Sequence, residues 1–254
     1  MFFYRELPPS NVPPNVSDLR FWFDGKNIDG SSNSTLTDGQ PNNLETVANL
    51  GSAGGSWVSS DNVGGNYRPL YRASTPSIQI GTVGGFNRSL GLLSFDQPNS
   101  CPSYNFTNSE ISGFIVFSLH TSITNNGLLW MSIDPAANYW NTGMNANSAT
   151  KFNMDIRSTP VSFDFAASTG VRYCLSWKRT ASGHEFRIKS STLITQSDSS
   201  GPVGAVGPWN LVLGARTANG TPQNAYVESF GVYEGNIDMS QVETWVENYY
   251  GTLG

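Results

Sequence analysis

Apolar and polar residues alternate with a period of two along most of this chain, which is the mark of strands with one buried and one outward side. In residues 18–24, Leu19, Phe21 and Phe23 share one face. The same alternation predicts strands over 70–80, 90–95, 114–119, 128–133, 152–156, 161–165, 171–178 and 185–189. Within 171–178, Val171, Tyr173, Leu175 and Trp177 point one way, and Arg172, Cys174, Ser176 and Lys178 the other. In the next strand Phe186 and Ile188 face inward while Glu185, Arg187 and Lys189 expose the opposite side. Phe114 to Phe117 is a nearly continuous apolar run, the pattern of a central strand covered on both faces. Gly84-Gly85, Asn125-Asn126-Gly127 and Ser182-Gly183 supply turns between these segments. Residues 25–66 read as loop, with a short helical turn at 43–50.

The pattern changes at the C-terminal end. Trp209, Leu211 and Leu213 alternate with polar or small neighbours, and after a loop Tyr226, Glu228, Phe230 and Val232 alternate with Val227, Ser229, Gly231 and Tyr233. Val242, Trp245, Val246 and Tyr249 then fall at i, i+3, i+4 and i+7, the stripe of an amphipathic helix. Asp238 is placed to cap its start, Ile237 to staple Val242, and Gly251 to end it. Ten or more strands without an interdomain linker predict an all-β, two-sheet antiparallel jelly-roll sandwich with one short C-terminal helix. Residues 18–254 form that domain, and residues 1–17 precede it as an extended N-terminal arm. Pro8, Pro9, Pro13 and Pro14 deny the arm regular structure, and Phe2, Phe3, Tyr4 and Leu7 give it an apolar end suited to anchoring on a neighbour.

Composition supports this reading. Charged residues make up only 13%, with 26 Gly, 14 Pro, 14 Phe, 10 Tyr and 7 Trp, as expected of a loop-rich β protein with an aromatic core. A net charge of −5 disfavours nucleic acid as a partner. No apolar run is long enough to span a membrane, and the first residues lack the pattern of a signal peptide. Cys101 and Cys174 are either one disulfide or two thiols.

Two loops carry candidate chemistry. Asp24, Asn27, Asp29 and Asp38 gather oxygens in a Gly-rich segment, which is either a calcium site or a network of Asx turns. No other cofactor is expected. Trp130, Asp134, Asn138, Tyr139, Trp140 and Asn141 combine aromatic plates with amide and carboxylate groups around one loop. That mixture suits the apolar face and the hydroxyls of a sugar, unless both tryptophans are core residues of adjacent strands.

The strands Leu19-Arg20-Phe21-Trp22-Phe23-Asp24 and Gly113-Phe114-Ile115-Val116-Phe117-Ser118-Leu119 resemble those of concanavalin A-like, laminin-G-like jelly rolls. So does the ending, with Leu211-Val212-Leu213-Gly214-Ala215, then Glu228-Ser229-Phe230-Gly231-Val232-Tyr233, then residues 238–251. The resemblance spans residues 18–254 and is similar to virion proteins of tailed bacteriophages. It implies a capsid decoration or head-fibre protein on the virion surface, made in the host cytoplasm and held by its N-terminal arm. Other virion proteins, further copies of the chain in a homo-oligomer and host-surface polysaccharide are the implied partners. The alternatives are a tail-fibre receptor-binding module, a free carbohydrate-binding lectin, or a glycan hydrolase with a non-standard acid pair. Relatives that cleave glucans carry E-x-D-x-x-E on one strand, where both carboxylates can flank one bond. Glu110, Glu185 and Glu228 instead stand alone, and His120 and His184 lack metal-ligand spacing. The sequence therefore predicts no enzyme.

Overall fold

The apolar run in the middle of the chain forms a strand in which all nine residues are buried, and the rest is built outward from it. A computed structural model describes residues 11–39, 44–59, 68–83, 86–88, 90–91, 110–121, 127–134, 139–148, 151–156, 159–165, 167–180, 183–189, 193–198, 210–214 and 221–254.

Sheet I contains β1 (Leu19–Asp24), β4 (Leu70–Arg72), β5 (Ser77–Val83), β6 (Phe86–Arg88), β8 (Ile111–Leu119), β13 (Arg172–Thr180), β14 (Gly183–Lys189), β15 (Leu193–Asp198) and β18 (Ala225–Glu234). Its path runs β15-β14-β13-β8-β18-β5-β4, with β1 also on β18 and β6 on β5. Sheet II contains β2 (Thr46–Ala48), β3 (Ser56–Ser59), β7 (Leu90–Gly91), β9 (Gly127–Asp134), β10 (Tyr139–Ser148), β11 (Lys151–Ile156), β12 (Thr159–Asp164), β16 (Asn210–Leu213) and β17 (Thr221–Pro222). Its path runs β12-β11-β10-β9-β16-β7-β3-β2, with β17 on β9. The strand pairings are antiparallel except β17 on β9. The chain is thus a two-sheet antiparallel β-sandwich of jelly-roll type with one helix, α1 (Met239–Tyr250), at its C-terminal end.

Sheet I is covered on both sides. Its inner face packs Phe23, Ile115, Phe117, Leu175, Trp177, Phe230 and Val232 with Val47, Trp57, Leu129 and Leu213 of sheet II. Its outer face packs Leu19, Trp22, Phe114, Val116, Cys174 and Tyr233 with Met239, Val242, Trp245, Val246 and Tyr250 of α1. The crowding is tight enough to require glycine at Gly113 and Gly231, where a Cβ would overlap the Trp177 and Phe114 rings. The caps form as the pattern predicts. Asp238 accepts from the Ser240 amide at 3.0 Å, and the Gly251 amide (φ 98°) donates to the Glu247 carbonyl at 3.0 Å.

Several expectations are corrected by register. The segment read as a helical turn at 43–50 contains β2, because β-branched Thr46 and Val47 pair with β3 and bury Val47. The strand predicted over 70–80 is the hairpin β4–β5, turned just before Pro76, which has no amide hydrogen to give a ladder. Leu19 does not share a face with Phe21 and Phe23, since a shift in the β1–β18 pairing sends it to the helix side. In β18 a bulge between Val227 and Ser229 changes the phase. Val227, Phe230 and Val232 therefore face inward together, while Tyr226 and Glu228 leave that set. Among the longer strands, β10 escaped the pattern because Asn, Gly and Ala dilute its alternation, and β15 because its residues are mostly polar; the short β3, β6 and β17 also lie outside the predicted strands. Cys174 is a free, fully buried thiol; Cys101 lies outside the described residues.

Candidate functional site

Helix α1 covers only part of the outer face of sheet I. Polar side chains rim it: Glu243 receives both Arg187 Nε (2.7 Å) and Nη2 (2.8 Å) as well as the Ser176 hydroxyl (2.9 Å). Lys189 Nζ donates to Glu247 at 2.6 Å, so the side of β14 expected to be exposed is instead partly occupied by the helix. At the helix end Lys26 Nζ donates to the Tyr249 carbonyl at 2.6 Å and sits 4.1 Å over the Tyr249 ring. A cation there answers both the terminal carbonyls and the ring face. These contacts fix where the helix stops and leave the neighbouring part of the outer face to polar residues.

That part is a row crossing four strands. Gln79 of β5, Tyr226 of β18, Ser118 of β8 and Arg172 of β13 are successive cross-strand partners. Each alternates with inner-core neighbours, Ile78 and Ile80, Ala225 and Val227, Phe117 and Leu119, and Tyr173, so all four point outward. Adjacent strands lie about 4.8 Å apart, so the row is roughly 15 Å long, the span of two or three sugar rings. His120 extends it beyond the end of β8, with its Nδ1 hydrogen-bonded to the Tyr226 hydroxyl at 2.7 Å and the two rings 5.0 Å apart. Asn224 donates to the Thr121 hydroxyl at 3.1 Å beside them. His120 and Thr121 are exposed, and Tyr226 and Asn224 are half-buried.

Charged groups in this row are paired. Arg72, also outward-facing next to Gln79, donates its Nε (2.8 Å) and Nη2 to the Gln79 amide oxygen and lies 3.8 Å from Asp38. Arg172 Nε donates to Glu228 at 2.7 Å; the guanidinium side chain is 25% exposed and the carboxylate only 4%. Gln79 and Ser118 are buried within the row, so the groups it offers to solvent lie at its ends: the His120 and Tyr226 rings with Thr121 and Asn224, and the partly exposed Arg172. The buried Cys174 thiol is pushed up out of the titration range of a nucleophile by burial and by the nearby Glu243, so it adds no chemistry.

The residues singled out from sequence fall elsewhere. Asp134 and Tyr139 are cross-strand partners at the end of the β9–β10 hairpin, Trp140 faces Ile133, Trp130 faces Met144, and Asn141 lies at a register shift. This brings five of the six into one hairpin by backbone; Asn138 lies outside the described residues. The anchoring residues Phe2, Phe3, Tyr4 and Leu7 also lie outside them.

The four oxygen-bearing residues considered for calcium do not converge. Asp24 accepts from the Tyr249 and Tyr250 hydroxyls at 2.9 and 2.8 Å, and Asp38 from the Ala73 amide at 2.8 Å. Asn27 accepts from the Ser32 amide, and Asp29 from the Ser31 and Asn33 amides and the Thr35 hydroxyl. Burial opposes the Asp29 charge, but the donors from Ser31, Asn33 and Thr35 prevail and hold its carboxyl below the usual range. Among the described residues no three acidic, His or Cys side chains form a metal-binding group. The loop is an Asx-turn network.

Sequence reasoning missed the outer row. The period-two pattern already placed Arg172 outward, but only register joins it to Tyr226, Gln79 and His120.

Comparisons with known proteins bear on the fold. No family model matches the chain, and a comparison with curated proteins finds no match. Among solved structures it is similar to the Trypanosoma rangeli sialidase, at 10% identity and a TM-score of 0.64 over 97% of this chain and 36% of that one. It is similar also to the binding domain of botulinum neurotoxin DC bound to rat synaptotagmin II, at 8% identity and a TM-score of 0.60 over 94% of this chain and 55% of that one. A third is botulinum neurotoxin type C, reported to depend on two ganglioside molecules, at 8% identity and a TM-score of 0.55 over 92% and 52% of the two chains. This chain therefore spans about a third of the sialidase and about half of the toxin chains. The sialidases correct one expectation. Enzymes carry this fold, so a missing E-x-D-x-x-E strand is no ground for reading the chain as a non-enzyme.

Proposed function

We propose that this sandwich is a carbohydrate-recognition module and that the outer row of sheet I is where the saccharide lies. The observation that carries the reading is the exposed His120 packed on the half-buried Tyr226, at the end of a row of outward-directed polar groups in which Gln79 and Ser118 are themselves buried. Sugars present an apolar C–H face and a rim of hydroxyls, and such a row offers ring faces and paired polar atoms to both. Its fold neighbours support a saccharide ligand as a class and not the charge of that ligand, since they include a sialidase in complex with sialic acid and a ganglioside-dependent toxin, whose glycans are acidic.

A glycan array probed with the wild-type chain, Tyr226→Ala and Trp140→Ala tests this. Binding lost in Tyr226→Ala and kept in Trp140→Ala is the expected result. Loss only in Trp140→Ala would move the site to the β9–β10 hairpin, and binding to no glycan would remove the reading. Because sialidases share the fold, bound glycans are also assayed for released sugar; turnover abolished by one carboxylate change would add hydrolysis to recognition.

A virion-surface setting belongs to the same proposal and rests on the sequence resemblance. In it the N-terminal arm anchors the chain to other virion proteins, the chain forms a homo-oligomer, and the sandwich meets host polysaccharide. Deleting residues 1–16 should abolish incorporation into particles, and unchanged incorporation would end the anchoring idea.

A further inference from the structure

We infer that the outer row selects uncharged saccharides and discriminates against acidic ones; this rests on the reading of the row as a glycan site. The argument is one of charge pairing. Arg172 and Arg72 are the cationic side chains described in the row, and each already faces a carboxylate. Arg172 is locked to Glu228 at 2.7 Å, and Arg72 to the Gln79 amide oxygen with Asp38 at 3.8 Å. Glu228 is buried, so its charge is weakly screened; Asp38 is 57% exposed, so its charge projects towards any ligand near Arg72. A carboxylate on an incoming sugar would gain attraction from a guanidinium and lose much of it to the carboxylate already bound there. The whole chain carries a net charge of −5, which adds a weak long-range penalty in the same direction.

The groups at the exposed end of the row are uncharged at the positions described. The half-buried Tyr226 ring lies 5.0 Å from the ring of the exposed His120 and is tilted at 55° to it, giving two ring faces set at a wide angle. Thr121 and Asn224 place a hydroxyl and an amide next to them. Hydroxyl-rich, charge-free rings match this inventory, since each hydroxyl both donates and accepts. Discrimination here comes from the carboxylates that already occupy the two arginines, a repulsive element as much as an attractive one.

Isothermal titration with matched oligosaccharides tests the inference on the full chain: lactose and chitotriose as neutral probes, sialyllactose and trigalacturonate as acidic ones. At least one neutral probe should bind about tenfold or more tighter than both acidic ones, with little change in Kd between 50 and 500 mM salt. Glu228→Gln, which removes one resident charge, should narrow that gap. Asp38→Asn, at an exposed position, is the second variant should Glu228→Gln fail to fold. Acidic probes binding tightest, with affinity falling steeply in salt, would overturn the selectivity while leaving a glycan site in place. Binding of none of the probes, nor of any array glycan, would instead defeat the site itself.

Discussion

The two halves of the outer face of sheet I are made from the same strands and end up opposite in character. Under α1, β8 and β18 present Phe114, Val116 and Tyr233, met by Trp245 in edge-on contact with Phe114 at 5.8 Å and with Trp22 at 6.2 Å. A few residues along, the same two strands carry the buried Ser118 and the half-buried Tyr226, followed by the exposed His120, and α1 does not reach them. The covered half is specified by volume and burial, so it tolerates little change. The open half is specified by polarity, with its exposure confined to the end at His120, Thr121 and Tyr226, so changes at that end should alter binding more than folding.

Substitutions can break or sharpen that contrast. The largest effect is expected from Trp245→Ala, which empties the centre of the covered half and should cost about 3–5 kcal/mol in urea unfolding. A loss under 1 kcal/mol would mean the helix is a passenger. Glu243→Gln comes next. It leaves Arg187 facing a neutral amide at the helix edge and should cost about 2–3 kcal/mol, less than a fully buried pair because Arg187 keeps some solvent. Asp238→Ala should cost about 1 kcal/mol at neutral pH through the lost cap. The Ser240 hydroxyl and amide hold the Asp238 carboxyl below its usual range. Its stabilisation is thus present above the ordinary carboxylate value of about 4 and lost as pH falls through the lower folded value. The gap between Asp238→Ala and wild type should therefore shrink on acidification in thermal melts. A gap constant with pH would contradict the cap. Smallest is Tyr226→Phe in the open half, about 0.5 kcal/mol or less in stability, because only one half-exposed hydrogen bond goes.

The sequence makes the covered half far more legible than the open one. Helix α1 could be read residue by residue, since its stripe, its Asp238 cap and its Gly251 stop are local signals. β13 was equally clear, because unbroken alternation carries Tyr173, Leu175 and Trp177 to the core and Arg172, Cys174 and Ser176 to the other side. The bulge in β18 has no such signature. Nothing in Val227-Glu228-Ser229 announces an extra residue, yet it decides that Phe230 rather than Ser229 joins the core. The split pairing of β18, with β5 along Ala225–Val227 and β1 along Ser229–Tyr233, explains it: the bulge falls where one partner hands over to the other. The open row was hidden for the same reason. Gln79, Ser118, Arg172 and Tyr226 are far apart in sequence, each is an ordinary outward residue of its own strand, and only cross-strand register makes them neighbours.

Side-chain NMR of the imidazoles gives the most direct test that the open half is a saccharide surface. The chain has only two histidines, so the His120 signal can be assigned with one His184→Gln variant. His184 sits opposite Arg179, at the far end of β13 from Arg172, and serves as an internal control. Titrating in the tightest-binding neutral glycan should shift the His120 resonances and leave those of His184 in place. A saturating glycan that moves neither signal, or moves His184 alone, would contradict the assignment of this surface.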